Sequence, residues 1–466
     1  MDNNNEKKSR MPSFYYAFLV LVIVCGMVVI PYVKWNVTMA AMFFICWLIV
    51  IPLCMRLGYT YQELYKAAID NSSKALGSAF IIMAMGGMIS AMIACGAVPT
   101  VVYYGLKFIN PNIFLLCTFF VSFIYATITG SNWGTMGTVG VAFMLVGAGL
   151  GIPAGMTAGA VVSASCLGDG SSPVSDSPNL AAAVFEIDLF AYCKKLYKVV
   201  VPAVILNCVI YLILGLNHGG SVYDPSAVNQ ITTTLAATFK IDLFTLIPIV
   251  ILLALLIMQK PALTTLLFSA LSAIAVAVVH QGVPVESALK IFWSGYSSST
   301  GVEIVDSLIS RGGVTSLLAS VALFLITFGL IGVMQYVHIT DVVIKPLVDR
   351  VKTKVGMVLA TFAMGYMGNV IGCSGTFSTL INGALMPPLY KKMKYSRMTM
   401  ARNLGAVVLP MSALIPWHIN SVMAFDILGV GIGQYAPYLI TAFTMPVVCF
   451  VVAMLNIDME KIDTVE

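Results

Sequence analysis

Long apolar runs separated by short polar segments follow one another along nearly the whole chain. Many of these runs approach the roughly 20 residues that a helix needs to cross a bilayer. They are continuous rather than alternating, which argues against a transmembrane β-barrel. The pattern predicts an all-α polytopic membrane protein with spanning segments near 13–32, 36–57, 77–96, 113–130, 135–150, 155–180, 199–216, 242–258, 262–280, 313–336, 355–372, 374–390, 398–432 and 435–455.

Two of these segments, 155–180 and 398–432, carry polar residues and proline near their middle and are predicted to be interrupted helices. Proline and glycine break the helical hydrogen-bond ladder, and a membrane tolerates the freed backbone groups only inside protein or beside a water-filled cavity. Residues 60–76 and 284–297 are amphipathic, so we expect them at the membrane interface. Residues 217–241 form the longest polar linker.

A weak internal repeat relates the two sides of this linker. Gly87 and Gly329 lie 242 residues apart, and Pro173 and Pro416, each at the break of an interrupted helix, lie 243 apart. The repeat divides the chain into a tail, a first transmembrane repeat, a linker, a second repeat and a second tail, at 1–12, 13–216, 217–241, 242–455 and 456–466.

The composition agrees with a membrane location, because 59% of the residues are hydrophobic and only 10% are charged, whereas soluble domains carry about 25%. Placing the N-terminus in the cytoplasm leaves few of the 25 Lys and Arg on the outer side, namely Lys34, Lys107, Lys240, Lys290 and Arg311. This bias predicts that both termini are cytoplasmic and that the two repeats have inverted topology. Inverted repeats place ion and substrate sites at the midplane, where their broken helices meet.

The break of the first interrupted helix holds the most informative polar residues. Residues 168–179 read Gly-Asp-Gly-Ser-Ser-Pro-Val-Ser-Asp-Ser-Pro-Asn. An ionised carboxylate at the bilayer centre costs about 3 kcal/mol, and hard cations prefer oxygen ligands. We therefore predict that Asp169 and Asp176 bind sodium or a proton, with Ser172 and Asn179 as further sodium ligands. The alternative is that one aspartate or serine only caps the second half-helix.

The turns near Gly130 and Gly372 are predicted to be the tips of two facing hairpins, either re-entrant or full crossings. Their polar residues are candidate substrate or proton ligands, and the alternative is a polar loop at the membrane surface. These candidates are Ser131, Asn132 and Thr135 in the first tip and Ser374 and Thr376 in the second.

The second break spans 414–421. His418 is the one histidine deep in a broken helix, and it could relay protons, hydrogen-bond an anionic substrate, or be a satisfied core histidine. Asn420 could supply a neutral oxygen ligand or a helix cap. Arg311 is expected to form an outer-surface ion pair with a nearby acid, and the alternative is that it holds a substrate carboxylate.

These motifs resemble those of NhaC-type sodium/proton antiporters. The segment 168–183 resembles the signature of that family, and Ser310-Arg-Gly-Gly313, Ala401-Arg-Asn-Leu404 and Leu414-Ile-Pro-Trp417 match further stretches. The similarity runs from about residue 60 to 450. It implies inverted repeats with interrupted helices and paired hairpins, together with sodium coupling through Asp169, Asp176 and Asn179.

One departure from that resemblance concerns the cargo. Relatives often carry an acidic pair where this chain has Gly405 and Ala406. Fewer carboxylates then remain to handle both sodium and a proton, which favours an organic solute in the vacated space. The predicted function is sodium-coupled secondary transport by alternating access, as a Na⁺/H⁺ or Na⁺/solute antiporter. The alternative is sodium-coupled uptake of an amino acid or a carboxylate.

Other classes of protein fit less well. Asp169 and Asp176 lie seven residues apart in one broken segment, which suits a ligand cage better than the catalytic pair of an intramembrane enzyme, and a channel stays a further alternative. No nucleophile motif, phosphate loop, dinucleotide fingerprint or zinc spacing occurs. We expect no enzymatic activity, no cofactor beyond the coupling ions Na⁺ and H⁺, and no nucleic-acid partner. The expected location is the cell membrane, and a homodimer is left open.

Overall fold

The computed structural model describes residues 11–35, 37–218, 225–258, 260–340, 342–343 and 351–461 of the chain. These residues form helices joined by short turns, and the described part contains no strand beyond an isolated bridge between Tyr395 and Lys461. Within it, nine helices are long and apolar enough to cross a membrane, or up to 11 if each of two bent helix pairs is one span. The prediction of an all-α polytopic membrane protein is confirmed.

The first part of the chain alternates long apolar helices with short ones. The amphipathic segment near 60–76 is a helix that starts with a capping box, because Thr60 and Glu63 each bond the other's backbone N–H. The helices are Phe14–Trp35, Met39–Arg56, Tyr61–Ser73, Leu76–Ala94, Ala97–Phe108, Phe114–Thr129, Asn132–Thr135, Val141–Gly149, Ala154–Ser171, Asp176–Phe185 and Leu189–His218. A π-helical turn at Met136–Gly140 joins Asn132–Thr135 to Val141–Gly149.

The predicted polar linker contains a helix, Pro225–Thr238. Residues 219–224 lie outside the described residues. The helix packs through an apolar stripe at Val228, Ile231 and Leu235, all at most 8% exposed. This spacing of three and four residues is helical, and the threonines and polar residues between its members hide it in the sequence.

The second part of the chain follows the same plan. Its amphipathic segment near 284–297 forms a short helix, as expected for an interfacial element. The helices are Ile247–Ile257, Ala262–Val279, Val285–Ser294, Glu303–Ile309, Leu318–Tyr336, Lys354–Gly372, Gly375–Leu385, Pro387–Lys392, Arg397–Val408, Ile419–Leu428, Ile432–Tyr435 and Thr441–Met454.

Four helix starts recur at a constant spacing. Each of the following pairs is 243 residues apart: Asn132 and Gly375, Ala154 and Arg397, Asp176 and Ile419, and Leu189 and Ile432. The residues that cap these helices share the spacing, since Ser175 precedes one half-helix and His418 the other. This common register is what an internal repeat produces.

The two interrupted helices run antiparallel to each other. At one end, Arg397, which begins the second, contacts Glu186, which follows the first. At the other end, Gly155, in the first turn of the first, packs so closely on Gln434 that a Cβ would meet the Gln434 carbonyl oxygen at 2.3 Å. Near the middle, Gly170 faces the Leu409 side chain. Antiparallel broken helices are what inverted repeats require, and their orientation in the membrane stays a prediction.

The segment that follows the last helix is anchored to the protein by a buried arginine. Arg402 is 0% exposed, and its guanidinium donates to the carbonyl oxygens of Ile457 and Asp458, 2.8 and 3.2 Å away. The ammonium of Lys198 lies 2.6 Å from the carboxylate of Asp458. Residues 456–461 of the predicted tail therefore pack against the transmembrane part.

Candidate ion and substrate site

The first break is a short extended turn between two half-helices. The Ala154–Ser171 helix ends at Ser172, whose backbone is extended, and the chain turns into the Asp176–Phe185 helix. The Ser175 hydroxyl accepts a hydrogen bond from the backbone N–H of Ser177 at 3.1 Å and so caps this helix. The side-chain amide of Asn179 donates to the carbonyl oxygens of Ser175 and Pro173, at 2.7 and 3.0 Å. Asn179 thus ties the start of the second half-helix to the break, because its backbone N–H also donates to the Ser175 carbonyl oxygen at 3.3 Å.

Asp169 lies in the last turn before this break and is buried, with 8% of its surface exposed. The Ser175 hydroxyl donates a hydrogen bond to its carboxylate, and the backbone N–H of Asn132 faces the same group. No cationic side chain pairs with Asp169 among the described residues. A buried carboxylate without a cationic partner is costly unless it binds a proton or a metal cation.

The other predicted sodium ligands occupy different surroundings. Asp176 and Asn179 are exposed, on the far side of the break from the buried Asp169. The Ser172 hydroxyl is buried, but it donates to the carbonyl oxygen of Thr127 at 2.7 Å and so links the break to the first hairpin. A single cage formed by all four residues stays a prediction, and the described residues contain no cluster of three or more His, Cys, Asp or Glu suited to a metal ion.

The first hairpin tip lies against the first break. Gly130 has φ +60°, and a Cβ there would lie 2.7 Å from the backbone nitrogen of Ser175. Only glycine allows both this conformation and this approach. Ser131 caps the next helix by accepting from the backbone N–H of Gly134 at 3.0 Å, and Thr135 is buried and donates to the carbonyl oxygen of Ser131 at 2.7 Å. Both hydroxyls therefore support the tip.

Asn132 is the tip residue that projects toward the buried interior. It is 4% exposed, and its amide nitrogen lies 3.5 Å from the Cys166 sulfur. Its side-chain oxygen is buried and accepts no hydrogen bond. The backbone N–H of Asn132 faces Asp169, so the unbonded side-chain oxygen of the same residue is a suitable additional ligand for a cation.

The second tip repeats this design on the second break. Cys373 takes the left-handed conformation there, with φ 50°, and its carbonyl oxygen accepts from the backbone N–H of Ile419 at 3.1 Å. The residue that matches Gly130 is thus Cys373, one position after the Gly372 expected from the sequence. Ser374 is buried, whereas Thr376 is exposed. The two tips therefore differ in solvent access: Thr135 of the first is buried, whereas Thr376 of the second is exposed.

The second break contains no carboxylate. His418 is 0% exposed and caps the Ile419–Leu428 helix, because its Nδ1 accepts from the backbone N–H of Asn420 at 3.1 Å. The proton of the neutral ring is then on Nε2, which is buried and has no hydrogen-bond partner. The Asn420 side chain donates to the Ser412 hydroxyl at 2.8 Å and accepts from the Trp133 indole at 2.8 Å. Asn420 thus joins the second break to the first hairpin.

A cavity of about 260 Å³ opens beside the first break. Asp176 is the one charged residue among those that line it, and Gly405 and Tyr192 also line it. A Cβ at Gly405 would meet the Tyr192 hydroxyl oxygen at 2.4 Å. The space next to Gly405 that was expected to be vacated is therefore occupied by Tyr192, although Gly405 itself lines the cavity, and Ala406 is fully buried.

Asp426 is a half-buried acidic group that the sequence reasoning missed. It lies in the Ile419–Leu428 helix, and one of its carboxylate oxygens is buried without a hydrogen-bond partner. It is also the only acidic residue between positions 350 and 457, which is the signal that could have identified it. A lone acid in an apolar membrane helix is a functional candidate by default.

The expected ion pair of Arg311 is wrong. Its guanidinium donates to the carbonyl oxygen of Leu428 at 3.2 Å and lies next to Gly429. Asp306 instead orders its own loop, accepting from the hydroxyls of Ser298 and Thr300, each 2.7 Å away. Backbone and hydroxyl hydrogen bonds from Thr300 and Ser298 hold the pKa of Asp306 below its usual value. The loop therefore satisfies the acid locally and leaves the arginine to cap a helix end.

Comparison with known proteins agrees with this architecture. The model of the Na⁺/H⁺ antiporter family matches residues 7–183 and 165–457. The chain is 31% identical to the malate-2H⁺/Na⁺-lactate antiporter of Bacillus subtilis over 94% of its length and 93% of that protein. It is 29% identical to the Na⁺/H⁺ antiporter NhaC of Alkalihalophilus pseudofirmus, covering 90% of each, and 30% identical to the arginine/ornithine antiporter ArcD of Halobacterium salinarum, covering 84% and 81%. On this evidence the chain belongs to the Na⁺/H⁺ antiporter family.

Proposed function

We propose that this chain is a sodium-coupled antiporter of the cell membrane, with cytoplasmic termini, in which Asp169 binds Na⁺ or H⁺ in turn. The observation that carries the proposal is the buried Asp169 carboxylate, which accepts from a hydroxyl and forms no ion pair with a cationic side chain in the described part of the chain. A buried carboxylate must be neutralised, and it cannot bind a proton and a sodium ion at the same time. Competition between Na⁺ and H⁺ for this one group therefore couples their transport.

The surrounding oxygens suit Na⁺ in particular. The Ser175 hydroxyl bonds to Asp169, and Asn132, whose side-chain oxygen is unbonded, directs its backbone N–H at the same carboxylate. Hydroxyl, amide and carboxylate oxygens are the ligands that hard cations prefer. We propose Asp169, Asn132 and Ser175 as the central ligands, with Asp176 binding a cation on its way through the open cavity.

Proteoliposomes with independently imposed sodium and pH gradients test the proposal. We expect proton movement driven by a sodium gradient, and its loss in Asp169→Asn. A matched variant, Asp242→Asn, changes an acid outside the site whose carboxylate contacts His280, and should leave transport intact. Sodium-driven transport at the native rate in Asp169→Asn would refute the assignment.

The cavity favours an organic cargo as a second candidate. About 260 Å³ is larger than one sodium ion needs, and its one charged lining residue is Asp176. A single carboxylate beside hydroxyl groups attracts an ammonium group and repels a free dicarboxylate. Among its relatives this favours the cargo named for the arginine/ornithine antiporter over that of the malate/lactate antiporter.

Thermal stabilisation of the purified protein distinguishes these cargoes. Amino acids with a free ammonium group should raise the unfolding temperature in the presence of sodium, because a ligand that binds only the folded state stabilises it. Asp176→Asn should remove that shift. If malate or lactate gives the larger shift, the charge argument fails. We also propose that the chain has no enzymatic activity, and a homodimer stays a prediction.

A further inference from the structure

The cavity has a closed counterpart in the other repeat. Adding or subtracting 243 maps six of its lining residues, Gly375, Gly405, Val408, Ser177, Pro178 and Tyr192, onto Asn132, Val162, Ser165, Asn420, Ser421 and Tyr435. We name this second set the closed chamber. Every one of its members is at most 4% exposed. Equivalent positions of the repeat thus form an open cavity at one end and a packed interior at the other.

Two hydrogen bonds hold the closed chamber together. The Trp133 indole donates to the Asn420 side chain at 2.8 Å, and the Tyr435 hydroxyl donates to the carbonyl oxygen of Ala413 at 2.9 Å. The first bond joins the hairpin of one repeat to the broken helix of the other. These bonds act where a cavity would otherwise separate the two walls.

The equivalent bonds are missing at the open end. Thr376 and Ser177 occupy the positions equivalent to Trp133 and Asn420, and both line the cavity. Among the described residues, no hydrogen bond joins Thr376 to Ser177, and none reaches the hydroxyl of Tyr192, the equivalent of Tyr435. The two ends of one repeated design therefore differ in whether these two contacts are made.

The broken helices run antiparallel, so the two ends point in opposite directions. The open cavity includes Phe185 and Ala401, near the contact between Glu186 and Arg397. The closed chamber includes Tyr435, near the opposite end, where Gly155 packs on Gln434. A path that opened through the chamber would lead from the Asp169 region to the side of the membrane that the cavity does not reach.

We propose that the closed chamber is the second access cavity of the transporter, and that the Trp133–Asn420 and Tyr435–Ala413 contacts are its latches. The proposal rests on the alternating-access function above. In the other state the latches part, the Thr376 and Tyr192 side closes, and cargo meets Asn132, Ser165, Asn420 and Ser421. Because Ile419 replaces Asp176 in the repeat, this second cavity is uncharged, so a cation leaves Asp169 without a second carboxylate to hold it.

Sided cysteine labelling tests the proposal. Ser421→Cys reports on the closed chamber and Thr376→Cys on the open cavity, each read by peptide mass spectrometry in the otherwise native chain, so that the ten native cysteines do not interfere. A membrane-impermeant maleimide is applied to right-side-out and inside-out vesicles. We expect Thr376→Cys to react from one side and Ser421→Cys, slowly, from the other.

A second variant controls the latch. Trp133→Phe removes the indole donor while keeping an aromatic ring, and one net hydrogen bond corresponds to about a two- to tenfold change in equilibrium. Labelling of Ser421→Cys should rise by that factor in Trp133→Phe, and labelling of Thr376→Cys should fall. Reaction of both cysteines from the same side, or no reaction of Ser421→Cys in either background, overturns the proposal. Sodium-driven transport by the same vesicles shows separately whether the proposed function holds.

Discussion

The two breaks share a backbone design but differ in charge. In each, a buried polar side chain caps the second half-helix by accepting from the backbone N–H two positions on, Ser175 in the first and His418 in the second. The first break carries Asp169 and Asp176, whereas the second has Asn420 as its central polar group and no carboxylate. The two breaks therefore share a backbone scaffold, and in our proposal only the first of them binds the ion.

This asymmetry has a physical basis. Two carboxylate-bearing breaks facing each other would repel at short range in a medium of low dielectric constant. A neutral partner supplies hydroxyl, amide and imidazole groups without that repulsion. In our proposal the charged break binds the cation, and the neutral break forms reversible contacts such as the hydrogen bond between Trp133 and Asn420.

The largest expected effect is the loss of ion binding at the charged break. Asp169→Asn keeps the shape but removes the charge, and one charged interaction of about 3 kcal/mol corresponds to roughly 100-fold in affinity. We expect sodium-dependent transport to fall by about that factor or more. At the neutral break, Asn420→Ser should lower transport by less than about tenfold, because it removes neutral hydrogen bonds only. Isotope flux in proteoliposomes measures both.

Equal losses from these two substitutions would show that the breaks are functionally alike and would contradict the comparison. The amount of folded protein in each preparation, measured by size-exclusion elution, controls for misfolding.

The two hairpin tips give the next largest contrast. Gly130→Ala forces a Cβ to within 2.7 Å of the Ser175 nitrogen at φ +60°, and we expect it to cost about 2–4 kcal/mol of stability. Cys373 already has a side chain at φ 50°, so Cys373→Ala should cost about 1 kcal/mol, the loss of a small buried group. Thermal unfolding in detergent measures both, and a smaller shift for Gly130→Ala would show that the first tip can move away from the break.

Much of this fold follows from local patterns in the sequence. Apolar run length predicts the long helices, and Pro173 and Pro416 mark the breaks because proline cannot continue a helix. The 243-residue register is visible in those prolines. The helix at Pro225–Thr238 was missed because its buried apolar residues lie among threonines, so the mean hydropathy of the segment indicates only a polar linker.

The site is less predictable than the fold, because its properties depend on contacts distant in sequence. Asp169 and Asp176 look alike in the motif, yet one is buried and the other exposed. Arg402 counts as a cytoplasmic positive charge in the sequence, but it is fully buried and binds the chain more than 50 residues later. Side-chain partners of this kind follow from packing, which periodicity does not encode.

A smaller effect is expected at His418. If its role is to cap a helix, His418→Asn should preserve the cap, since asparagine is a preferred N-cap residue, and transport should fall by less than about fivefold. If the ring relays protons, the same variant should lose proton-coupled flux and keep sodium binding. The pH dependence of sodium-driven flux separates the two results. A loss as large as that of Asp169→Asn would mean that the neutral break also carries protons.

The smallest effect is expected where the two repeats are joined by an ion pair. Lys198 belongs to the first repeat and Asp458 follows the second, and their charged atoms lie 2.6 Å apart. The nearby ammonium of Lys198 lowers the pKa of Asp458. A lowered pKa means that the pair stabilises the fold above the unfolded pKa of about 3.9 and that this contribution is lost as the pH falls through the folded value. Because both side chains are partly exposed, Asp458→Asn should cost under about 1 kcal/mol at pH 7.

The difference in unfolding temperature between the native chain and Asp458→Asn should therefore shrink as the pH is lowered from 7 toward 3. Glu286→Gln is the matched control, because its partner Lys290 lies on the same helix, both side chains are more than 70% exposed, and the pair joins nothing. We expect Glu286→Gln to lower the free energy of unfolding by a still smaller amount, about 0.3–0.5 kcal/mol. If the two variants respond alike at every pH, the pair between Lys198 and Asp458 contributes no more than an ordinary surface pair.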